Sequence, residues 1–205
     1  TILSTRTKAG REILRISTTV SRDGNRKLDS VTNSERYHAY GQLWSITAAA
    51  ITRTPCYYMR AFNFERFLSH IQHHRVTHIQ TAPPVLVMLA KRPETKKYDL
   101  SSLVNILCGA APLSKELQNE VSTKFNLKVV QTWGMTEVTC SCLHVPGGMD
   151  DRSGSVGQVD PNSTIKLIDE TGNEVTKPGQ RGEIFVRGPN VSERKRIPIL
   201  REHIH

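Results

Sequence analysis

The sequence predicts an α/β protein in which an incomplete parallel α/β layer is followed by a small antiparallel β subdomain. Between residues 62 and 137, helical patterns alternate with short runs of β-branched and other apolar residues, which is the order typical of a parallel sheet. After residue 149 the helical patterns stop, and short alternating strands separated by Gly- and Pro-containing turns follow. This change indicates antiparallel pairing.

The first helix–strand unit begins at Asn63, a residue type that caps helices. The apolar residues that follow recur at helical spacing and predict one apolar stripe, formed by Phe64, Phe67, Leu68 and Ile71. Arg75 is predicted to end this helix, and residues 76–80 follow as a strand. The proline pair at 83–84 closes that strand before a second helix over residues 85–91.

A second unit predicts two strands joined by one helix. Residues 103–108 form the first strand and residues 109–112 a small-residue loop, after which Ser114 caps a helix. The apolar residues of that helix recur four apart: Leu117, Val121 and Phe125. Asn126 suits a helix end, and a short apolar strand that contains Val129 and Val130 follows, before a loop at residues 132–137. Because right-handed crossovers bring the ends of parallel strands to one edge of a sheet, we expect the loops after the two strands to lie together.

Composition changes at Tyr37, where a segment of aromatic and small residues begins. The run of Thr, Ala and Ile at residues 47–51 predicts a tightly packed, buried helix. His38 precedes that helix in a loop or first turn. Taken alone, His38 is better explained as a hydrogen-bonded structural residue than as a catalytic one.

Four further histidines are close in sequence: His70, His73, His74 and His78. Helical spacing could bring the first three together, but no carboxylate neighbours them and the helix is predicted to end before the fourth. We therefore predict a solvated helix face rather than a metal site.

The net charge of +9 comes mainly from the two ends of the sequence. Residues 1–36 contain eight Lys and Arg against four Asp and Glu, and residues 192–205 contain four against two. These compositions predict an irregular, unrelated flank at 1–36, an irregular basic tail at 192–205 and no nucleic-acid interface. The folded part is expected to comprise an α/β part at 37–149 and an antiparallel β subdomain at 150–191.

Cysteine usage and apolar runs predict the compartment. The four cysteines have neither the pattern of a disulfide framework nor the spacing of a zinc site, so reduced thiols are expected. No secretory h-region, no run long enough to span a membrane and no C-terminal Ser-Lys-Leu is seen. We therefore predict an intracellular protein, cytoplasmic or peroxisomal, whose oligomeric state the sequence leaves open.

Residues 128–137 combine a buried strand with a loop of polar and aromatic side chains. Gly134 permits a turn that brings Trp133, Thr136 and Glu137 to one mouth. An indole can stack on a base, a hydroxyl can hydrogen-bond a phosphate, and a carboxylate can bind the magnesium that accompanies nucleotide phosphates. On their own, these residues fit a nucleotide site and an ordinary solvated loop equally well.

The small residues at 109–111 also have two explanations. They would let a flat ring lie against the backbone with Trp133 on its other face, or they allow helix and strand to pack closely. The expected meeting of the two loops favours the first explanation.

With these stretches laid out, residues 37–191 resemble the adenylate-forming superfamily, which includes acyl-CoA synthetases, coumarate-type CoA ligases and beetle luciferases. Four stretches carry the resemblance, in the family's order and approximate spacing. Residues 131–137 resemble its aromatic-Gly-x-Thr-Glu motif, residues 108–113 its small-residue adenine loop, residues 182–189 its Gly-Glu strand, and residues 37–41 its histidine motif near the acyl pocket. The implied fold is part of the family's large N-terminal domain.

The resemblance implies a two-step reaction. A carboxylate attacks the α-phosphate of Mg-ATP to form an acyl-adenylate, and the thiol of CoA then displaces AMP. The implied ligands are therefore ATP, Mg²⁺, CoA and a small-molecule carboxylic acid.

Motif position also implies roles for individual residues. Thr136 and Glu137 are the implied catalytic residues, and Glu137 is the implied metal ligand. The implied nucleotide site consists of Gly109, Ala110, Ala111, Pro112, Gln131, Thr132, Trp133, Gly134, Met135 and Thr136. The implied acyl site consists of His38, Tyr40, Ala110 and Gly134. Trp133 stands where the family usually has tyrosine, and Thr132 where glycine is common, and both still permit stacking.

Two parts of the family's machinery are missing from this sequence. The phosphate loop is not found within residues 1–36, and the small C-terminal domain with its catalytic lysine has no counterpart. We therefore predict a fragment of an acid–CoA ligase that is inactive as this chain. The alternative is a non-catalytic or vestigial adenine-nucleotide-binding module.

Overall fold

The computed structural model describes residues 3–6, 12–15, 30–32, 38–59, 61–146 and 149–192 of the chain. The strands are β1 (Leu3–Arg6), β2 (Glu12–Arg15), β3 (Ser30–Thr32), β4 (Cys56–Tyr58), β5 (His78–Thr81), β6 (Asn105–Cys108), β7 (Lys128–Trp133), β8 (Leu143–His144), β9 (Gln158–Val159), β10 (Thr164–Ile168) and β11 (Glu183–Arg187). The α-helices are α1 (Ala39–Gly41), α2 (Ala49–Thr52), α3 (Phe64–His74), α4 (Pro83–Lys91) and α5 (Lys115–Phe125). A π-helical segment, Gln42–Ala48, joins α1 to α2, and 3₁₀ turns lie at Pro93–Lys97 and Thr136–Val138.

A mixed sheet lies at the centre of the described residues, with the strand order β4-β3-β5-β6-β7-β8-β9. The pairs between β4 and β7 are parallel, whereas β8 and β9 are added by antiparallel pairing. β10 and β11 form a separate antiparallel hairpin. The predicted fold class, a parallel α/β layer followed by a small antiparallel β unit, is confirmed.

The helix boundaries follow from the capping residues. The Asn63 side-chain oxygen accepts from the backbone N–H of Arg66 at 3.0 Å, and the Ser114 hydroxyl accepts from that of Leu117 at 3.2 Å. At the other ends, Arg75 and Asn126 adopt left-handed conformations with φ of 51° and 50°. The sequence predicted all four helix ends.

The hydrophobic core joins α3, α4 and α5 to β5, β6 and β7. Its fully buried side chains include Phe67, Leu68, Ile71, Leu86, Leu89 and Ile106. Burying a side chain of this size contributes about 1.5–3 kcal/mol. This packing fixes the parallel strands whose ends carry the candidate site.

The helix predicted to be buried at residues 47–51 is instead largely exposed. Ile51 is 76% exposed, and Ala50 is also exposed. The buried residues of this helical segment lie nearer its start, at Tyr40, Gly41 and Ser45, so that end attaches the segment to the sheet. Small side chains offer little apolar area, which explains why the Ala run is not the part that packs.

Regular structure also occurs within residues 1–36, which were predicted to be mostly irregular. β1 pairs with β2, and β3 lies inside the central sheet between β4 and β5. A three-residue strand is too short to show a hydrophobic period, so its pairing is decided by its neighbours. The remainder of the flank, and the basic tail beyond residue 192, lie outside the described residues.

The β10–β11 hairpin follows the predicted alternation. Ile165 pairs with Val186 and Leu167 with Ile184, which places four apolar side chains on one face. The hairpin is joined by the predicted turns at residues 171–173 and 177–179. In the part of the chain that the structure describes, no helix is long and apolar enough to cross a membrane.

Candidate active site

An open cleft forms where the histidine segment, residues 38–40, meets the ends of β6 and β7. Counted together with the solvent at its open mouth, its volume is about 310 Å³, and its walls are His38, Ala39, Tyr40, Ala110, Thr132, Gly134, Met135, Thr136 and Cys140. β6 and β7 are parallel neighbours, with Cys108 opposite Gln131, so the loops that follow them emerge at the same edge. The predicted meeting of these loops is confirmed.

Tyr40 forms a rigid wall of the cleft. Its hydroxyl donates to the Leu107 carbonyl at 3.1 Å, and only 6% of the residue is exposed. Burial raises the pKa of the phenol well above its ordinary value, and the nearby Cys108 and Cys140 thiols add to the rise. The phenol therefore stays neutral, and its proton is committed to the Leu107 carbonyl.

His38 caps the first turn of the helical segment. Its Nδ1 accepts from the Tyr40 backbone N–H at 3.2 Å, so in the neutral ring the proton lies on Nε2. The side chain is exposed and lines the cleft. His38 thus makes the structural hydrogen bond that the sequence favoured, and it also lies at the site that the motif implied.

Two glycines are required because other atoms occupy the space of a side chain. A Cβ on Gly109 would lie 2.9 Å from the Thr132 Cγ2 and 3.0 Å from the Tyr40 Cε2. A Cβ on Gly134 would lie 1.6 Å from the Cys140 carbonyl oxygen. The sequence predicts that Gly134 is needed because glycine permits a turn. In the structure it is needed because the backbone of residues 140–141 occupies the space of a side chain.

Ala110 is the residue of the adenine-loop stretch that lines the cleft. Its φ of 70° is unusual for a residue with a side chain, and such conformations cluster at functional sites. Gly109 is buried beneath Tyr40 and Thr132, while Ala111 and Pro112 are exposed and do not line the cleft. Only Ala110 of the predicted 109–112 loop therefore faces the cleft.

Residues of β7 alternate between two sides. Thr132 lines the cleft, and its hydroxyl donates to the Leu143 carbonyl at 2.8 Å. Gln131 points elsewhere, because it is 4% exposed and its amide donates to the Gln118 side-chain oxygen at 2.7 Å and to the carbonyls of Leu113 and Gly154. Gln131 was included in the implied nucleotide site, whereas its contacts in the structure are those of a buried structural residue.

Trp133 is half-buried and does not line the cleft. The strand period of two places it on the opposite side from Thr132 and Gly134. The structure therefore brings the implied acyl residues His38, Tyr40, Ala110 and Gly134 together, and leaves Trp133 on the other side of the same strand end.

The turn Thr136–Val138 carries the implied phosphate and metal groups. Thr136 and Glu137 are exposed, and the Met135 carbonyl accepts from the backbone N–H groups of Val138 and Cys140, each at 3.1 Å. Mg²⁺ is commonly held by one or two carboxylates together with substrate phosphates and water. A single exposed carboxylate beside a hydroxyl fits that pattern, with the ion arriving on the nucleotide.

Several contacts at this turn were not predicted from the sequence. Asn190 donates from Nδ2 to the Val138 carbonyl at 3.2 Å and to the Ser141 carbonyl at 3.4 Å. Cys140 lines the cleft and is buried, and burial with the nearby Asp160 carboxylate raises its pKa to about 11. No local pattern indicates these contacts, since about fifty residues separate Asn190 from its partners.

The histidines of α3 lie away from the cleft. The His74 ring stacks on Tyr57 with centroids 4.0 Å apart, and His70 and His74 are half-buried, so the helix face is less solvated than predicted. Burial lowers the pKa of His78 to about 4. Among the described residues, no group of three or more His, Cys, Asp or Glu side chains could hold a metal ion.

The cleft can be compared with known proteins. Residues 14–194 match the family model described as AMP-binding enzyme. The chain belongs to this family. The match confirms the predicted adenylate-forming relationship. It also begins at residue 14, so residues 14–36 of the segment predicted as an unrelated flank lie within the matched region.

Curated relatives of this AMP-binding chain are named as CoA ligases and synthetases. An acyl-CoA synthetase of Alternaria alternata is 39% identical over 142 residues, which cover 68% of this chain and 25% of the relative. A 4-coumarate–CoA ligase-like protein of Oryza sativa subsp. japonica is 39% identical over 135 residues, covering 65% of this chain and 23% of the relative. The chain therefore spans about a quarter of the length of these relatives.

A solved structure supports the same assignment. O-succinylbenzoate coenzyme A synthetase of Bacillus subtilis, determined in complex with ATP and magnesium ion, aligns with a TM-score of 0.67 and 25% identity. The alignment covers 86% of this chain and 36% of the solved one. The fold of the AMP-binding chain is thus that of part of an adenylate-forming enzyme.

Proposed function

We propose that this chain forms the adenylate-binding part of an acid–CoA ligase, which activates a carboxylic acid with ATP and transfers the acyl group to CoA. The observation that carries the proposal is the cleft, where the histidine segment, the adenine-loop stretch and the Thr-Glu turn meet. These three stretches lie far apart in sequence, and packing side chains together does not by itself require a hollow at their meeting point. Membership of the AMP-binding enzyme family supports the same function.

The proposed reaction has two displacements. A carboxylate oxygen attacks the α-phosphorus of ATP and pyrophosphate leaves, and the sulfur of CoA then attacks the acyl carbon and AMP leaves. Magnesium, when bound with ATP, neutralises charge that develops on the phosphates. In this chain Glu137 would hold the ion and the Thr136 hydroxyl would donate to a phosphate oxygen, because both residues are exposed and Thr136 lines the cleft.

The acyl group is assigned to the cleft itself. Tyr40 and Gly134 both line the cleft, and the Tyr40 and Thr132 hydroxyls are already hydrogen-bonded within the protein. The cleft therefore presents a largely apolar surface to the acyl chain, with His38 Nε2 as a free polar group in the neutral ring.

The adenine is assigned to Trp133, on the other side of the β7 end. An indole stacked on a purine gains about 1–3 kcal/mol by analogy with bases on aromatic side chains in nucleic-acid complexes. With little else to hold the phosphates, we expect AMP to bind with a dissociation constant of about 1 mM, near −4 kcal/mol.

A fluorescence titration tests this assignment. Trp44 also emits, so the measurement uses a Trp44→Phe background, in which AMP should quench Trp133. Trp133→Tyr should bind AMP comparably, whereas Trp133→Ala should lose binding. If Trp133→Ala and wild type bind AMP equally, measured by equilibrium dialysis of labelled AMP, the loop is not an adenine site.

Catalysis by this chain alone is tested separately. We expect no carboxylate-dependent pyrophosphate exchange above a Glu137→Ala control, because each lost donor to developing charge costs about 10²–10³ in rate. AMP binding without exchange fits a ligase part that needs the rest of its protein, and also the alternative, a non-catalytic adenine-nucleotide module. A longer protein that contains this chain distinguishes the two explanations, because carboxylate-dependent pyrophosphate exchange should appear in it only if the chain is part of a ligase.

A further inference from the structure

The turn that carries Thr136 and Glu137 ends in an unfavourable backbone conformation. Thr139 and Cys140 have φ of 56° and 94°, and consecutive non-glycine residues rarely adopt this region. A β-branched residue such as Thr139 is especially uncommon there. Such a conformation persists only where the surrounding structure fixes it.

The segment after β11 supplies that fixation. The Thr139 hydroxyl donates to the Asn190 carbonyl at 2.6 Å, and the Asn190 amide donates to the carbonyls of Val138 and Ser141 at 3.2 and 3.4 Å. The Ser192 backbone N–H donates to the Glu137 carbonyl at 2.7 Å. These bonds reach residues on both sides of the strained pair and the implied metal ligand itself.

The orientation of the Asn190 side chain is itself fixed. The Ser163 hydroxyl donates to the Asn190 Oδ1 at 3.2 Å, which directs the NH₂ group toward the two carbonyls. Gly188 provides the space, since a Cβ there would lie 2.5 Å from the same Oδ1 and 3.0 Å from the Ser163 hydroxyl. The amide is therefore oriented by an acceptor contact at one end and donor contacts at the other.

We propose that Asn190 is a positioning residue that holds the Thr136–Cys140 turn in the geometry needed for Glu137 to bind a divalent cation. The inference rests on the proposed function for the role of Glu137, and on the hydrogen bonds above for the role of Asn190. The hairpin segment thereby acts on the site without contacting the ligand.

Asparagine is suited to this role because its amide has both a donor and an acceptor end. Aspartate has nearly the same shape, but its carboxylate cannot donate and would face the Val138 and Ser141 carbonyls. Asn190→Asp therefore removes the donor with little change of volume. Asn173→Asp is a matched control with the same change of charge, since Asn173 is exposed in the hairpin turn and its side-chain amide donates to the Thr171 hydroxyl at 2.7 Å.

The first measurement is hydrogen exchange in the full 205-residue chain. We expect Asn190→Asp to lower the protection factors of the Val138, Thr139 and Cys140 amides about tenfold, the change expected from losing one or two hydrogen bonds. Acidification should restore part of the protection, because a protonated carboxyl group regains one O–H donor. Asn190→Ala should lose protection without this recovery, and Gly188→Ala should lose it although Asn190 is retained.

The second measurement uses Mn²⁺ added together with ATP as the probe of the Glu137 site, because the ion is expected to arrive on the nucleotide. Paramagnetic broadening of the residue 136–140 amide signals should need about tenfold more Mn²⁺ in Asn190→Asp than in wild type or Asn173→Asp, in line with the lost hydrogen bonds. Glu137→Gln should abolish the broadening while leaving the protection factors unchanged.

The outcomes separate the two assignments. Wild-type protection and wild-type Mn²⁺ response in Asn190→Asp would overturn the positioning role and leave the proposed function intact. If Mn²⁺ does not broaden these signals in wild type, Glu137 is not the metal ligand, and Asn190 is then a structural residue and nothing more.

Discussion

Phe67 in the parallel layer is fully buried, whereas Phe185 in the β10–β11 hairpin is 41% exposed. The difference extends to the two regions as a whole, because β7 is buried at four of six positions and β11 at none. The layer is therefore held by apolar packing, while the hairpin reaches the Thr136–Val138 turn through hydrogen bonds from Asn190 and Ser192. The turn that carries the implied metal ligand is thus held in part by hydrogen bonds from the segment after β11.

Truncating an aromatic residue in each region should show the largest contrast. Phe67→Ala removes a side chain from a closed core and should destabilise the protein by about 3–5 kcal/mol. Phe185→Ala removes a half-exposed ring and should cost less than about 1 kcal/mol. Urea unfolding followed by circular dichroism measures both, and equal losses would mean that the two regions are packed alike.

The stability of the protein at alkaline pH should depend on three buried cysteine thiols, all of which lie outside the hairpin. Burial raises the pKa of Cys108 from 9.0 to about 12, and burial together with Asp160 raises that of Cys140 and Cys142 to about 11. Since the unfolded thiols lose protons first, stability is fully present below about pH 9 and falls as pH rises toward 11–12, by up to about 1.4 kcal/mol per pH unit for each thiol.

Urea unfolding at pH 8 and pH 10.5 tests this slope, and Cys108→Ala should reduce it relative to wild type. The hairpin, residues 164–187, contains no cysteine, so exchange of its amides, corrected for intrinsic rate, should not share the alkaline loss. An unchanged slope in Cys108→Ala would show that this thiol is not protected by folding.

Substitution of Gln131 tests whether this residue of β7 serves packing or nucleotide binding. Gln131→Leu leaves the Gln118 oxygen and the Leu113 and Gly154 carbonyls without its amide, at a cost of about 1–3 kcal/mol. AMP affinity should not change, because the Gln131 side chain is buried and its amide is already hydrogen-bonded within the protein. The exposed Gln158→Leu serves as the control, with a change within about 0.5 kcal/mol. Weakened AMP binding in the folded Gln131→Leu protein would return Gln131 to the nucleotide site.

The smallest effect is expected on the outer face of the hairpin. Lys166 Nζ lies 5.6 Å from the centre of the Phe185 ring, and an exposed cation–π contact contributes about 0.5–1 kcal/mol. Lys166→Gln should therefore shift hairpin amide exchange only slightly and leave the exchange of Val138 unaltered. A change at Val138 would show that the hairpin transmits more than its Asn190 contacts suggest.

Local signals made much of the parallel layer predictable. Asn63 and Ser114 cap their helices as their residue types favour, and Arg75 and Asn126 end them. Once strands and crossover were assigned, topology alone required the two loops to meet. The family motif then implied His38, Tyr40, Ala110 and Gly134, which the structure brings into one cleft.

The remainder depends on atoms distant in sequence. Nothing near Asn190 indicates that its partners are Val138 and Ser141, and nothing near Gly134 indicates that the Cys140 carbonyl occupies its side-chain position. Gln131 looks like a motif residue in sequence, but its buried partner Gln118 lies on another element. β3 was missed for the related reason that three residues cannot show a period.

The π-helical segment Gln42–Ala48 directly follows the helical turn whose residues His38 and Tyr40 line the cleft. A π-helix closes i→i+5 hydrogen bonds where an α-helix closes i→i+4, so it holds one more residue in each hydrogen-bonded ring. Removing one residue there would convert a π turn into an α turn and rotate the exposed Ile51, while His38 and Tyr40 precede the change and keep their places. The same deletion in α3 would rotate Phe67 and Leu68 out of the core. Loss of one residue is thus a sequence change that this π-helical segment can accommodate without moving the residues that line the cleft.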